Sequence, residues 1–164
     1  MRNRDQNNNG VEELPVEEII TQEDGTIVRK TGDLIEEISP EEMERTKLEI
    51  EERLVEAESL NIVPEEGQIG TGRSYRNFDE GKYYQKIEVE GMTPLAKGYF
   101  YEVWLEDEAG RQTSIGRLEM IGSTGSLYYS TATDRSEYKT IVVSREIDDG
   151  NLEMGEIVLR GKYE

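Results

Sequence analysis

The 164-residue chain is long enough for one ordinary domain and an extension, and too short for two full cores. Its formal net charge of −18 and lack of a basic stripe exclude nucleic acid, because phosphate binding needs clustered Lys and Arg. Zero Cys and zero His remove disulfides, thiolate chemistry, the usual zinc and copper sites, and the Ser-His-Asp and Cys-His arrangements.

Residues 1–15 are polar and Asn-rich and close on Pro15, which predicts a flexible lead. Within it Asp5, Asn7 and Asn9 alternate as oxygen donors, Gly10 permits a sharp turn, and Glu13 holds the ninth position of a calcium-loop count. The twelfth position is Val16, so the bidentate carboxylate of a strong loop is missing. A low-complexity lead is the better account, and no metal ligand is assigned.

Residues 16–38 hold apolar residues in short pairs, Ile19-Ile20, Ile27-Val28 and Leu34-Ile35, with the hairpin turn signal Asp24-Gly25 between the first two. Short strands or a linker are expected here. Residues 39–62 then read as an amphipathic acidic helix. Ser39 caps it, Pro40 fits the first position, and Glu42 completes a capping box. Glu41–Arg45 and Glu49–Arg53 are spaced as stabilising pairs, and Met43, Ile50, Leu54 and Ala57 share one stripe. Residues 63–72 are Gly-rich and read as a linker.

From residue 73 to 164 the period changes. "SYRNF", "KYYQKIEV", "GYFYEVWLE", "TSIGRLEMI", "SLYYS", "YKTIVVSRE" and "GEIVLRGKY" are short segments rich in Tyr, Val and Ile, separated by turn residues. This spacing predicts a mainly β fold, an antiparallel Ig-like β-sandwich of about seven strands. In "YFYEVWL", Tyr101, Val103 and Leu105 face one side and Phe100 and Trp104 the other, as in a central strand.

Those residues also carry a family likeness. The approach at Met92 to Leu95, the aromatic strand Tyr99 to Leu105, "SIGRL" at Ser114 to Leu118, "TIVVSRE" at Thr140 to Glu146 and "IVLRG" at Ile157 to Gly161 resemble the extracytoplasmic C-terminal domain of bacterial anti-sigma factors of the regulator of sigma factor K type. The resemblance covers about residues 72–163. It implies a non-enzymatic β-sandwich at the cell envelope, acting in recognition or sensing. It does not carry sigma-factor binding, because the family's cytoplasmic segment, membrane helix and His and Cys zinc motif have no counterpart here.

No span of membrane length and no signal-peptide apolar run is present, so direct membrane insertion is not expected, although an N-terminal anchor could precede this sequence. Glycoside hydrolysis needs two carboxylates across a cleft, whereas Asp148-Asp149 and Glu65-Glu66 sit in turn-rich contexts. "GTGRS" at Gly70 to Ser74 lacks the Lys of a phosphate loop. Tyr83, Tyr84, Tyr99, Tyr101, Tyr128, Tyr129 and Tyr138 include adjacent pairs, which should leave several rings at the surface. The expectation is therefore no catalytic, cofactor or metal residues, and a protein partner or self-association. The alternative is a surface-assembly subunit in which residues 16–38 pair with a neighbouring sheet edge. A carboxylate-based hydrolase is the third reading.

Overall fold

A computed structural model describes residues 16–164, and the calcium-like pattern of Asp5, Asn7, Asn9 and Glu13 lies outside them. The first three strands form a meander: β1 (Glu17–Thr21), β2 (Ile27–Thr31) and β3 (Leu34–Glu37). Helix α1 (Pro40–Arg53) follows. Then come β4 (Glu58–Pro64), β5 (Thr71–Asp79), β6 (Lys82–Glu90), β7 (Tyr99–Glu106), β8 (Gln112–Arg117), β9 (Glu119–Ile121), β10 (Thr124–Thr131), β11 (Thr140–Ile147) and β12 (Glu156–Lys162).

The mainly β class holds, but the sandwich does not: the sheet closes into a nine-strand barrel with one helix outside it. Around the wall the order is β1-β8-β7-β11-β12-β4-β5-β6-β10, and β10 pairs back with β1. Closure removes open edges from the nine-strand wall, and the sheet's two ends are β3 and β9 outside it. Two bulges help the wall to curve. One lies opposite Val103/Trp104, where β8 has an extra residue at Ile115, and one opposite Val143/Ser144, where Val158 is the extra residue in β12. Ile115, Val158 and Leu159 all end up buried.

Strand β1 completes the ring. Its residues Glu18 to Ile20 pair antiparallel with Tyr129 to Thr131 of β10, and Thr21 pairs parallel with Gly116 of β8. The strand alternation sends Ile20 toward the barrel core and Ile19 to a second cluster outside, with Ile27 and Ile38. A short apolar pair thus serves two cores at once.

Inside the barrel Tyr83, Ile87 and Val89 of β6 meet Tyr101, Val103 and Leu105 of β7, Leu127 and Tyr129 of β10, and Ile141 and Val143 of β11. The interior is filled by side chains, as expected for a barrel this small. Met92 and Met120 seal one end, their sulfurs occupying the space that side chains at Gly70 and Gly125 would need. Polar groups close the other end.

Helix α1 starts where Ser39 caps it, the Ser39 Oγ accepting from the Glu42 N–H at 3.1 Å, but it stops at Arg53 rather than near residue 62. Arg53 leaves the expected Glu49 pairing for Asp79 at 2.8 Å and Glu80 at 3.1 Å. Beyond the cap, "ESLNIVP" alternates, with Ile62 fully buried, and pairs with β5 and β12 as β4. Pairing on two edges outweighs the helical continuation that local spacing suggests. The Gly-rich stretch at residues 63–72 is the end of β4, a turn and the start of β5. The helix lies on the outer wall, where Ile50 and Leu54 cover Tyr84. Burying Ile50 completely contributes roughly 1.5–3 kcal/mol.

Candidate functional site

Three regions concentrate polar side chains, and their geometry separates support from recognition. The first plugs the barrel end. Arg76 of β5 points inward, donates from Nε to Glu58 at 2.9 Å and from Nη1 to the carbonyls of Ser136 and Tyr138 at 3.2 Å each. Its guanidinium lies 3.8 Å from the centre of the Tyr163 ring. Tyr83 donates to Gln85 at 2.8 Å, Gln85 to Ser74 at 2.9 Å, and Tyr163 to Ser74 at 2.7 Å. Tyr129 donates to Glu18, which also pairs with Arg135 at 3.5 Å.

Most of these groups are answered by another; the buried Arg135 Nε is left without a hydrogen-bond partner among the described residues. Burial raises the Tyr163 phenol to about 12 and raises Tyr83 and Tyr129 further, with the Glu18 carboxylate adding to the effect at Tyr129. The phenols therefore stay protonated near neutral pH and act as donors, not as nucleophiles. This network holds the loop between β10 and β11 over the barrel mouth.

The second region lies on the outer wall of β7 and β11. Trp104, buried on this face, donates Nε1–H to Ser144 Oγ at 2.9 Å; Ser144 donates to Glu146, which also accepts from the Gly155 N–H at 2.7 Å. Ser114 donates to Glu102 at 2.6 Å. Glu102 and Glu146 are two acids from neighbouring strands, and neither lies in a turn. They sit side by side on one wall, however, and not across a cleft, so the arrangement required for glycoside hydrolysis is missing here.

Burial, opposed by the Ser114 hydrogen bond and reinforced by Glu146, holds the Glu102 carboxyl above its usual range. The folded state therefore keeps this proton to higher pH than the unfolded chain does. Glu102 adds stability only in acid, and that contribution is lost as pH rises through the folded value. Glu102→Gln is expected to raise the unfolding temperature at pH 7, with the gain disappearing below the ordinary carboxyl range. Thermal unfolding across pH 3 to 8 checks this, and an unchanged or lowered midpoint at pH 7 refutes it.

The third region is a groove of about 770 Å³ on the opposite outer wall. Alternation along β4, β5, β6 and β10 places its side chains outward, behind the inward Ile62, Val89 and Leu127. One row crosses five strands: Asn61 pairs with Arg73, Arg73 with Glu88, Glu88 with Ser126, and Ser126 with Glu119. A neighbouring row contains Thr71 paired with Glu90, and Thr124 paired with Ile121. Tyr75 lines the side next to α1, and Val63 and Ile121 lie at opposite ends. Glu88 has Lys86 at 3.2 Å, whereas Glu90, Glu119 and Arg73 form no ion pair among the described residues.

Several sequence expectations resolve here. Asp148 and Asp149 belong to the loop after β11, where Asp149 accepts from the Asn151 N–H at 2.9 Å, and Glu65 pairs with Arg160 at 2.8 Å. "GTGRS" runs into β5 with no helix after it. Of the seven tyrosines named above, Tyr83, Tyr84, Tyr101 and Tyr129 are buried and only Tyr99 is openly exposed. Closure of the barrel and the docked helix cover rings that an open sheet would have shown. The groove residues carried one legible signal: Glu88 and Glu90 alternate with Ile87 and Val89, which places both acids on the outer face. Their convergence with Asn61 and Thr124 depends on strand order, and was missed.

No group of acids that could hold a metal ion occurs among the described residues, and no helix there is long and apolar enough to cross a membrane. No family model, curated protein or solved structure matches the chain. The anti-sigma likeness thus rests on the residues that carry it.

Proposed function

We propose that the chain is a non-enzymatic recognition module that binds a protein partner through the outer wall of β4, β5, β6, β10 and β9. One observation carries this reading. The interior is packed and most of its polar groups answer one another, while the outer wall keeps a groove of about 770 Å³ in which Glu90 and Arg73 form no ion pair among the described residues. A setting at the cell envelope is part of the proposal, supported by the anti-sigma likeness of residues 72–163.

The test places a photo-crosslinking amino acid at Thr124 in the groove and, separately, at Glu153 in the loop after β11. A discrete adduct with one protein from position 124, and none from 153, is the expected result in the source cells. Equal labelling from both positions, no adduct from 124, or turnover of chromogenic glycosides lost in Glu102→Gln, overturns the reading.

A second reading is favoured by β3, which ends the sheet with one edge unpaired among the described residues and exposes Leu34 at 60% and Ile35 at 58%. Such an edge can accept a strand from another copy. Sedimentation across a concentration range should then show a dimer that Ile35→Lys abolishes. A persistent monomer removes this reading.

A further inference from the structure

The groove's two ends and its middle differ in chemistry. Val63 on β4 and Ile121 on β9 are exposed at 56% and 75%, and both line it. Between them lie Glu88 and Glu90, with Thr71, Thr124 and Ser126 around them. With neighbouring strands about 4.8 Å apart, four strand spacings put the apolar ends about 19 Å from one another. An extended peptide rising about 3.4 Å per residue covers that distance in about six residues.

Charge selects among occupants. The Glu88 and Glu90 carboxylates and the Arg73 guanidinium line the groove, the Glu119 carboxyl packs against Gly25 of the turn after β1, and Glu90 has no cation beside it among the described residues. A neutral saccharide laid over Glu90 would strip water from a carboxylate without supplying a counter-charge, which is unfavourable. A nucleic acid would bring like charge. A second copy would bring a net −18 against −18. A cationic side chain over Glu88 and Glu90 meets their charge, and apolar residues on either side of it meet Val63 and Ile121.

We infer that the groove seats an extended segment of a partner protein, laid across the strands, with Lys or Arg at its centre and an apolar residue toward each end. This rests on the reading of the chain as a protein-recognition module and names the chemistry of its partner. Arg73, next to Glu88 in the same row, then sets the register: it repels a cation placed one strand spacing toward β4 and accepts an acidic or carbonyl group there.

The test uses the full chain, labelled with nitrogen-15, and three probes: the acetylated and amidated hexapeptide Val-Ser-Lys-Lys-Ser-Ile, the same peptide with both lysines replaced by glutamate, and cellohexaose. The lysine peptide is expected to move the amide signals of Arg73, Glu88, Glu90, Thr124 and Ser126 selectively. Combined Glu88→Gln and Glu90→Gln substitution should weaken its binding at least tenfold, and added salt should weaken it as well. Shifts spread over the whole acidic surface, stronger binding by cellohexaose or the glutamate peptide, or unchanged affinity in the double variant, overturn the inference. An adduct at position 124 with no lysine-peptide binding overturns the partner chemistry alone; loss of both overturns the recognition reading with it. Both substituted side chains are exposed, so the variant keeps its fold, which its amide spectrum verifies.

Discussion

Arg76→Ala is expected to lower the unfolding free energy by about 3–5 kcal/mol, from two carbonyls left without a donor at about 1–3 kcal/mol each and the space opened beside Tyr163. The Arg76 side chain is only 7% exposed, and a single guanidinium supports three things: the Glu58 carboxylate, two carbonyls of the loop between β10 and β11, and the face of Tyr163. Glu58 itself is half exposed, so its loss of a partner is the smallest part of the effect. Most of it comes from the carbonyls of Ser136 and Tyr138, which lose their donor, and from the space left beside Tyr163. Arg76→Lys should recover little, because one ammonium cannot serve the carboxylate and both carbonyls in the guanidinium's fixed geometry. Urea unfolding measures the loss, and hydrogen exchange should show residues 132–139 opening first. An Arg76→Ala protein as stable as the parent would mean that the barrel end is held by something else.

Gly116→Ala should cost about 3 kcal/mol for a different reason. Gly116 has φ +132, a backbone region strained for any residue with a side chain, and this strain amounts to about 1–3 kcal/mol. An added Cβ would also stand 2.7 Å from the Thr21 carbonyl oxygen and 2.9 Å from Ile20 Cγ2. Both contacts belong to β1, the strand that closes the ring, and the carbonyl cannot swing away without breaking the Thr21 to Gly116 pairing. The substitution therefore pushes β1 off the seam. Hydrogen exchange should report early opening of residues 17–21, while β5 and β6 keep their protection. If instead Gly116→Ala leaves β1 protected and the midpoint unchanged, the seam is not held by this close approach.

These two residues also show what could be read in advance. Arg76 sits in "SYRNF", a segment that alternation marks as a strand, yet nothing local says that its charge turns inward. Its partners, Glu58, Ser136, Tyr138 and Tyr163, are spread over more than a hundred residues. Gly116 in "SIGRL" reads as an ordinary glycine in a strand, and its role appears only when Thr21, 95 positions earlier, lies against it. Ser39, by contrast, needs only its next three residues to cap α1, and it does so in the structure. Trp104 is intermediate: its pairing in a central strand followed from "YFYEVWL", but its indole hydrogen bond to Ser144 required the neighbouring strand.

The groove follows the same division. Glu88 and Glu90 share an outer face by alternation alone. That Arg73, Asn61, Ser126 and Glu119 join them in one row is a consequence of the order β4-β5-β6-β10-β9.

The amino-acid sequence by itself determined the mainly β class, the start of helix α1, and the lack of thiol and imidazole chemistry, because residue type, capping and alternation act over a few neighbouring positions. Only the tertiary structure decided that the strands close as a barrel instead of stacking as a sandwich. Closure depends on Gly116 admitting Thr21, on Glu18 reaching Tyr129 and on bulges at Ile115 and Val158, and these contacts exist only once distant segments are already side by side.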